Sequence, residues 1–330
     1  MLSNPLAIGL LKEPAESVAS QIAMWDEIEP FRLALKKLHE KVFKARPVVE
    51  RLKDVADSLK NYYPPEELRL MLLFRLAAHL GIAVPPDLTV KDLDDVANAI
   101  ADKAVQIWHR THKSQRVQSQ TEQDMVREVV KEMFGVVQEQ FQKASEKEKE
   151  NVLNEVMRVI ESMPDDYKER LRENIQAEKL SREAVAKALG TGTLSVGLTA
   201  LVEVAGFSAY TSAVQILAAM ASVFGITLPF PVYVYLTSAI AVLTNPLFFV
   251  PALAFMTYTL STRARRKIRD HLVPMVVTQG ILSSAIEGDF EAEAERVIEC
   301  HRKLRRKLKS PSVHERVDVK NRFPGIARYR

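Results

Sequence analysis

The 330-residue sequence is poor in cysteine, glycine and aromatic residues, and each shortage excludes a class of structure. The single cysteine, Cys300, cannot form an internal disulfide and is typical of a protein in a reducing compartment. With only 11 glycines and 7% aromatic residues, a β-sandwich or barrel rich in tight turns is disfavoured. Ala, Leu, Val, Glu and Lys dominate instead, as they do in helical proteins. The composition therefore predicts an all-α protein.

The beginning of the chain carries no recognisable secretory signal. Its first eleven residues are mildly apolar, but Lys12 and Glu13 follow without a basic leader or a cleavage site. We therefore expect synthesis in the cytoplasm. The expected final location is the cytoplasmic side of the bacterial inner membrane, or the cytoplasm with conditional insertion into the membrane.

The charge is distributed unevenly along the chain. The formal net charge is +4, yet residues 301–330 hold eleven Lys or Arg against only Glu315 and Asp318. The remainder of the chain is therefore net acidic. The basic character belongs to a tail, which we expect to be extended over residues 310–330.

Residues 1–193 predict a series of amphipathic helices separated by proline. Pro14 is predicted to open the first helix, and Gly81 to end a strongly apolar helix over 66–80. Ser145 and Glu148 match the capping-box pattern at the start of a later helix. No strand-like alternation of useful length is present. The predicted fold is a multi-helix bundle of amphipathic helices around or beside a long hydrophobic helical hairpin.

That hairpin is predicted from the apolar stretch 194–260. These 67 residues contain one group that is ionised at neutral pH, Glu203. A stretch of this length exceeds the roughly 20 residues that one membrane crossing needs. It divides at the proline-rich turn 225–231. The residues that define the predicted hairpin are Gly206, Gly225, Pro229, Phe230, Pro231, Tyr233, Asn245 and Pro246.

The two arms of the hairpin differ in their fitness for a membrane. The first arm, about 198–224, is rich in small residues, which suit close helix packing but insert only marginally. The second arm is more apolar but is interrupted at Asn245-Pro246 and Pro251, which favours a kinked, re-entrant or interfacial element as much as a straight helix. Alternatively, residues 1–193 could enclose the hairpin as a core, either permanently or until a trigger releases it.

Cations near the stretch are expected to contact anionic headgroups. They are Arg263, Arg265, Arg266, Lys267, Arg269, Arg302, Lys303, Arg305 and Arg306. Glu203 is a candidate buried charge: it lies at the interface, or pairs with the cluster 263–269 across the hairpin base. Leu304 and Leu308, spaced i, i+4 among the tail cations, predict a surface-active or partner-binding helix. Lipid is a better partner for this pattern than nucleic acid.

The segment from Gly206-Phe-Ser-Ala-Tyr-Thr through Gly225-Ile-Thr-Leu-Pro-Phe-Pro-Val-Tyr233 to Ser238-Ala-Ile-Ala-Val-Leu-Thr-Asn-Pro246 resembles the YaaW-type family of uncharacterised bacterial proteins. The resemblance covers mainly residues 185–262 and implies a bacterial protein with no catalytic residues to transfer. The chain departs from that family at Asn245-Pro246-Leu-Phe-Phe, where a Gly-Pro followed by glycine and tryptophan is expected. Part of the family is also similar to an assembly chaperone of respiratory complexes.

No catalytic or metal-binding constellation is evident in the sequence. His109 and His112 lie on one helical face but have no third ligand nearby, and nothing orients a base onto Cys300. We therefore expect no enzymatic activity, no cofactor and no metal. The predicted segments are an N-terminal helical region (1–113), amphipathic helices (124–193), the hydrophobic hairpin (194–260), a C-terminal helical region (261–300) and a basic tail (301–330).

These features predict a membrane-associated helical protein. Its hairpin would act as an anchor or as an oligomeric, pore-forming element that perturbs the bilayer. The small-residue faces of the first arm favour a homo-oligomer. The alternative is a soluble or peripheral assembly chaperone or scaffold, in which the hairpin is core or a client-binding surface for an unknown protein partner.

Overall fold

The computed structural model describes residues 2–26, 46–111, 121–205, 212–213, 215–216, 219–220, 223, 264–284, 288–309 and 312–323. These residues form helices joined by short turns, without a strand among them, which confirms the predicted all-α, multi-helix fold. The chain divides into two compact units. Unit 1 comprises Met1–Met125 and Ala254–Arg330, and unit 2 comprises Val126–Leu253. The two ends of the chain therefore fold together.

In chain order the helices are α1 (Pro5–Lys12), α2 (Ala15–Asp26), α3 (Arg46–Tyr62), α4 (Pro65–Leu80), α5 (Val90–Thr111), α6 (Glu122–Lys143), α7 (Glu146–Ser162), α8 (Asp165–Asn174), α9 (Arg182–Thr191), α10 (Thr193–Ala205), α11 (Ala264–Ser283), α12 (Phe290–Leu308) and α13 (Val313–Arg322). Helices α1–α5 and α11–α13 belong to unit 1, and α7–α10 to unit 2. Helix α6 begins at the end of unit 1 and continues in unit 2.

Helix α1 precedes the helix that the sequence predicted to be first. The Asn4 side chain caps it by accepting hydrogen bonds from the backbone N–H groups of Leu6 and Ala7, at 2.8 and 3.1 Å. Asp94 of α5 in turn accepts from the backbone N–H groups of Ser3 and Asn4, at 2.9 and 2.8 Å. An isolated helix this short is unstable in water. It therefore exists because α5 holds its start.

Unit 1 is organised around the contact of α1 with α11, its most extensive helix pair. A Cβ atom on Gly9 would lie 1.6 Å from the Gly280 carbonyl oxygen, so the two backbones touch. A Cβ on Gly280 would lie 2.5 Å from Leu6 Cδ1. At the end of the contact, Lys12 Nζ donates to the Ser284 carbonyl at 3.1 Å. Only glycine permits so close an approach.

The local signals in the sequence are confirmed, whereas the expectation of an extended tail over 310–330 is wrong for residues 313–322. Gly81 ends α4 in a left-handed conformation with φ 69°, and Ser145 with Glu148 forms the predicted capping box. Residues 313–322, however, form helix α13. Its residue Arg322 pairs with Glu67 of α4, and Phe323, which follows α13, is fully buried with its ring centroid 5.8 Å from that of Phe74. Tertiary contacts thus stabilise a helix that the local sequence does not reveal.

Unit 2 contains the beginning of the apolar stretch. Helix α10 packs against α8 and α9, and α9 packs against α7. Asn174 Nδ2 donates to the Gly197 carbonyl at 3.1 Å, which fixes the contact of α8 with α10. Leu194, Leu198 and Leu201 are buried. One side of the first residues of the stretch is therefore packed inside protein, whereas Val196 is exposed.

Replacing Gly9 with alanine tests the α1–α11 contact. The added methyl meets backbone, which cannot rotate away, so we expect the variant to lose about 3 kcal/mol or more of the free energy of unfolding of unit 1. Trp25 and Trp108 are both buried in unit 1, so urea unfolding followed by tryptophan fluorescence reports on this unit.

The matched control is Gly135→Ala in α6, where a Cβ would meet no atom within 4 Å. It should leave the fluorescence transition of unit 1 in place. A Gly9→Ala protein as stable as the parent would show that the two helices do not cross so closely.

Candidate functional site

Glu13 is a carboxyl group buried at the junction of α1 and α2, with no exposed surface. It follows the last residue of α1, and Pro14 directs the chain into α2. Its Oε1 accepts short hydrogen bonds from the Ser17 hydroxyl and the Gln21 amide. These residues are spaced i, i+4, i+8, which places all three on the side of α2 that packs inside the unit.

The surroundings of Glu13 are short of hydrogen-bond donors. Glu13 Oε2, Gln21 Oε1 and Gln279 Oε1 are buried and have no hydrogen-bond partner among the described residues. Most buried polar atoms in folded proteins are paired, so a group of unpaired acceptor oxygens requires an explanation. We call Glu13, Ser17, Gln21 and Gln279 the Glu13 cluster.

One cation lies beside the cluster, but it is shared. The Arg69 guanidinium of α4 donates to the backbone carbonyl of Glu13 at 3.2 Å and to Glu293 Oε2 of α12 at 2.5 Å. Arg69 therefore pairs with Glu293, which Arg296 also contacts at 2.5 Å, and the Glu13 carboxyl has no ion-pair partner of its own among the described residues.

Burial raises the pKa of Glu13 from 4.5 to about 7 because a carboxylate loses its hydration inside the unit. Hydrogen bonds from Ser17 and Gln21, the charge of Arg69 and the amide of Gln279 lower this pKa but do not outweigh desolvation. Glu13 therefore titrates near neutral pH. This property is uncommon for a carboxyl group and marks the cluster as a candidate functional site.

A second buried titratable group, His301 of α12, has the opposite behaviour. Its ring stacks on Phe74 with centroids 5.8 Å apart, and its Nδ1 atom has no partner among the described residues. Burial, with the nearby charge of Arg305, lowers the pKa of His301 to about 4. The imidazole is therefore neutral at physiological pH. The neighbouring Cys300 thiol, whose pKa burial raises to about 12, stays protonated and is a poor nucleophile.

The predicted hairpin lies largely outside the described residues. This holds for Gly206, Gly225, Pro229, Phe230, Pro231, Tyr233, Asn245 and Pro246. Glu203 lies in α10, but its side chain is not among those described, so its pairing with the cluster 263–269 stays a prediction. No helix in the described part of the chain is both long enough and apolar enough to cross a membrane.

The first predicted cation cluster is partly described. Arg263 lies outside the described residues, while Arg265, Arg266 and Lys267 lie in α11 with undescribed side chains. The Arg269 guanidinium lies 5.5 Å from the ring centroid of Trp25, and its Nη2 donates to the Trp25 carbonyl at 3.3 Å. Arg269 is thus engaged within unit 1.

The second cation cluster lies on one face of α12. Leu304 is buried and Leu308 is half-buried, so this leucine pair does not form the exposed apolar face that a surface-active helix needs. Arg302, Lys303, Arg306 and Lys307 are exposed, and Arg305 is half-buried. We call the four exposed residues the α12 basic face. Arg302 lies 3.5 Å from Glu299, whereas the other three form no ion pair with a described residue.

Metal ligands are not grouped in the described part of the chain: it contains no cluster of three or more His, Cys, Asp or Glu side chains suited to a metal ion. Of the histidine pair noted in the sequence, His109 is half-buried near the end of α5, and His112 lies outside the described residues.

The sequence did not single out Glu13, although it contained one signal. Ser17 and Gln21 continue the helical spacing from Glu13 beside the apolar residues Val18 and Ile22. Such a polar row inside an apolar face indicates a buried polar group. The sequence could not reveal that α11 packs against this region and brings Gln279, 266 positions away, close to Glu13.

Comparison with known proteins gives no relative: no family model, no curated protein and no solved structure matches this chain. The functional argument therefore depends on the chain's own residues.

Replacing Glu13 with glutamine tests the buried carboxyl. Because its pKa is raised in the folded state, Glu13 contributes stability that is fully present below pH 4.5 and is lost as the pH rises through 7. The contribution of Glu13 to the free energy of unfolding of unit 1 should fall by about 2 kcal/mol between about pH 5.5 and about pH 8.5. It is measured as the difference between the pH profiles of the parent and of Glu13→Gln, because the opposing contribution of His301 is the same in both proteins. The measurement is urea unfolding followed by tryptophan fluorescence.

Glu16→Gln is the matched control, since Glu16 is an exposed carboxyl three residues away that pairs with Lys60 at 3.3 Å. It should retain the pH dependence of the parent. Equal slopes for the parent and Glu13→Gln would contradict the buried, uncharged carboxyl.

Proposed function

We propose that this chain is a non-enzymatic helical protein that associates with the cytoplasmic side of the bacterial inner membrane. The stretch 194–260 would act as its anchor or, in a homo-oligomer, as an element that perturbs the bilayer. Unit 1 would be a closed helical body that presents a basic surface to anionic lipid. The observation that carries the proposal is the stretch itself: 67 residues with one group ionised at neutral pH, followed directly by cations.

The α12 basic face supports an electrostatic contribution. Val297, Ile298, His301 and Leu304 are buried, which fixes the rotation of α12 about its axis. The four exposed cations at its C-terminal half therefore project from one side of the helix, away from the core. Anionic headgroups attract such residues at about 1 kcal/mol per charge near the surface. If charge alone holds the protein to the membrane, its binding should weaken as the salt concentration rises.

The alternative function, a soluble or peripheral assembly chaperone or scaffold, is favoured by one specific observation. Leu198, Leu201, Ala213, Ile216 and Met220, all in the first arm of the predicted hairpin, are buried. A Cβ on Gly197 would lie 2.7 Å from a side-chain carbon of Ile175, so α10 also fits closely against the end of α8. Burial of this kind is what a shielded hairpin requires.

A charge-reversal variant tests the membrane proposal. Lys303, Arg306 and Lys307 are changed to Glu in the full chain, and binding to vesicles of phosphatidylglycerol and phosphatidylcholine is measured by co-sedimentation. At about 1 kcal/mol per lost contact, binding should weaken on the order of 100-fold. The same reversal of Lys91, Lys103 and Arg110, which are exposed on α5, is the matched control and should have a much smaller effect.

The two functions differ in the behaviour of the parent protein. The membrane proposal requires that the parent protein bind anionic vesicles. Part of this binding should persist at high salt, because salt does not screen the hydrophobic contribution of the apolar stretch. A monodisperse, detergent-free protein that fails to bind any vesicle contradicts the proposal. Co-purification of one specific client protein without lipid would then support the chaperone function.

A further inference from the structure

We infer that the Glu13 cluster is a proton-binding site that controls how tightly α11 is held against α1. The ligand is H⁺ itself, and the acceptor is Glu13 Oε2. Proton binding keeps α11 in place, and proton loss releases it. Helix α11 begins four residues after the apolar stretch ends, so its release would reach that stretch. In this respect the inference rests on the proposed function.

The hydrogen bonds of the cluster favour the protonated acid. Oε1 of Glu13 already accepts from Ser17 and Gln21, while Oε2 accepts no hydrogen bond from the described residues, although the Gln279 amide lies close enough to lower the Glu13 pKa. A carboxylate would leave a charged oxygen buried and unpaired. A carboxylic acid is neutral and adds a donor to a region where the Gln21 and Gln279 oxygens lack one.

The charged groups around the cluster do not replace the proton. From α4, Arg69 reaches the Glu13 backbone but is paired with Glu293 of α12. On α1, Lys12 is directed to the Ser284 carbonyl and lies 5.6 Å from the Phe290 ring centroid. From α11, the neighbour is the neutral amide of Gln279.

The remaining charged groups nearby have other partners. Asp94 of α5 accepts from Ser3 and Asn4. Glu16 of α2 pairs with Lys60 of α3. Among the described residues, no cation forms an ion pair with the Glu13 carboxyl, and the charge of Arg69 lowers its pKa without outweighing desolvation.

Helix α11 depends on this contact more than an ordinary helix would. Pro274 lies inside it and has no N–H, so the hydrogen bond to the Asp270 carbonyl is missing. Gly280, six residues later, is also a poor helix former. Gln279, the α11 residue close enough to affect the Glu13 pKa, directly precedes Gly280. An ionised Glu13 therefore weakens the packing of α11 against α1 at a point where α11 has low helical propensity and depends on that packing.

The test is hydrogen exchange of the α11 amides in the full chain, without lipid, with rates corrected for intrinsic exchange at each pH. The opening constant of α11 should rise on the order of 30-fold between about pH 5.5 and about pH 8.5. Glu13→Gln should lack this rise, since the amide imitates the protonated acid, whereas the His79–Asp270 contact of 2.8 Å between α4 and α11 is the same in both proteins. Glu16→Gln, the exposed control, should rise like the parent.

A second variant keeps the inference testable if Glu13→Gln does not fold. Gln279→Met removes an amide that lowers the Glu13 pKa, so the rise in opening should move to higher pH. A flat parent profile, or an identical rise in Glu13→Gln, would overturn the inference. So would protection of α11 at about pH 8.5 by Na⁺ at constant ionic strength, because the ligand would then be a metal cation. This experiment contains no lipid, so its result does not depend on whether the protein binds vesicles.

Discussion

The structure of unit 1 depends on the close crossing of α1 and α11 at Gly9 and Gly280. This contact joins the beginning of the chain to its last third, and the Gly280 oxygen occupies the space that a side chain on residue 9 would need. The neighbouring interactions follow from that approach: Lys12 reaches the Ser284 carbonyl, and Gln279 comes close to Glu13. Without the crossing, α1 would be a short apolar helix with no core to enter.

Two buried titratable groups of unit 1 without an ion-pair partner among the described residues favour their neutral forms, from opposite directions. Glu13 binds a proton more tightly than a solvated carboxyl, and His301 binds one less tightly than a solvated imidazole. The stability from Glu13 is lost as the pH rises through about 7, and that from His301 as the pH falls through about 4. Taken together, these two groups favour the folded state of unit 1 most between these values, where both are neutral. A rise above neutral pH acts on the helix that follows the apolar stretch.

The sequence predicted what depends on neighbouring residues. The all-α fold, the helix end at Gly81 and the capping box of Ser145 follow from composition, backbone freedom and a spacing of three residues. It did not predict α1, whose start is held by Asp94 from about 90 residues away, or α13, which contacts α4. The Glu13 cluster was missed for the same reason, since burial of a carboxyl depends on long-range packing. The eight residues that define the predicted hairpin lie outside the residues that the structure describes, so the hairpin stays a prediction.

The proposed function combines membrane association of the apolar stretch with a helical body whose packing responds to protons. Its central claim is that Glu13 is buried and takes up a proton near neutral pH, and ¹³C NMR of the full chain with labelled glutamate carboxyl carbons tests this most directly. The Glu13 signal is assigned by its loss in Glu13→Gln. The account predicts a titration midpoint near 7. A midpoint near 4.5, the ordinary value for a glutamate, would contradict it.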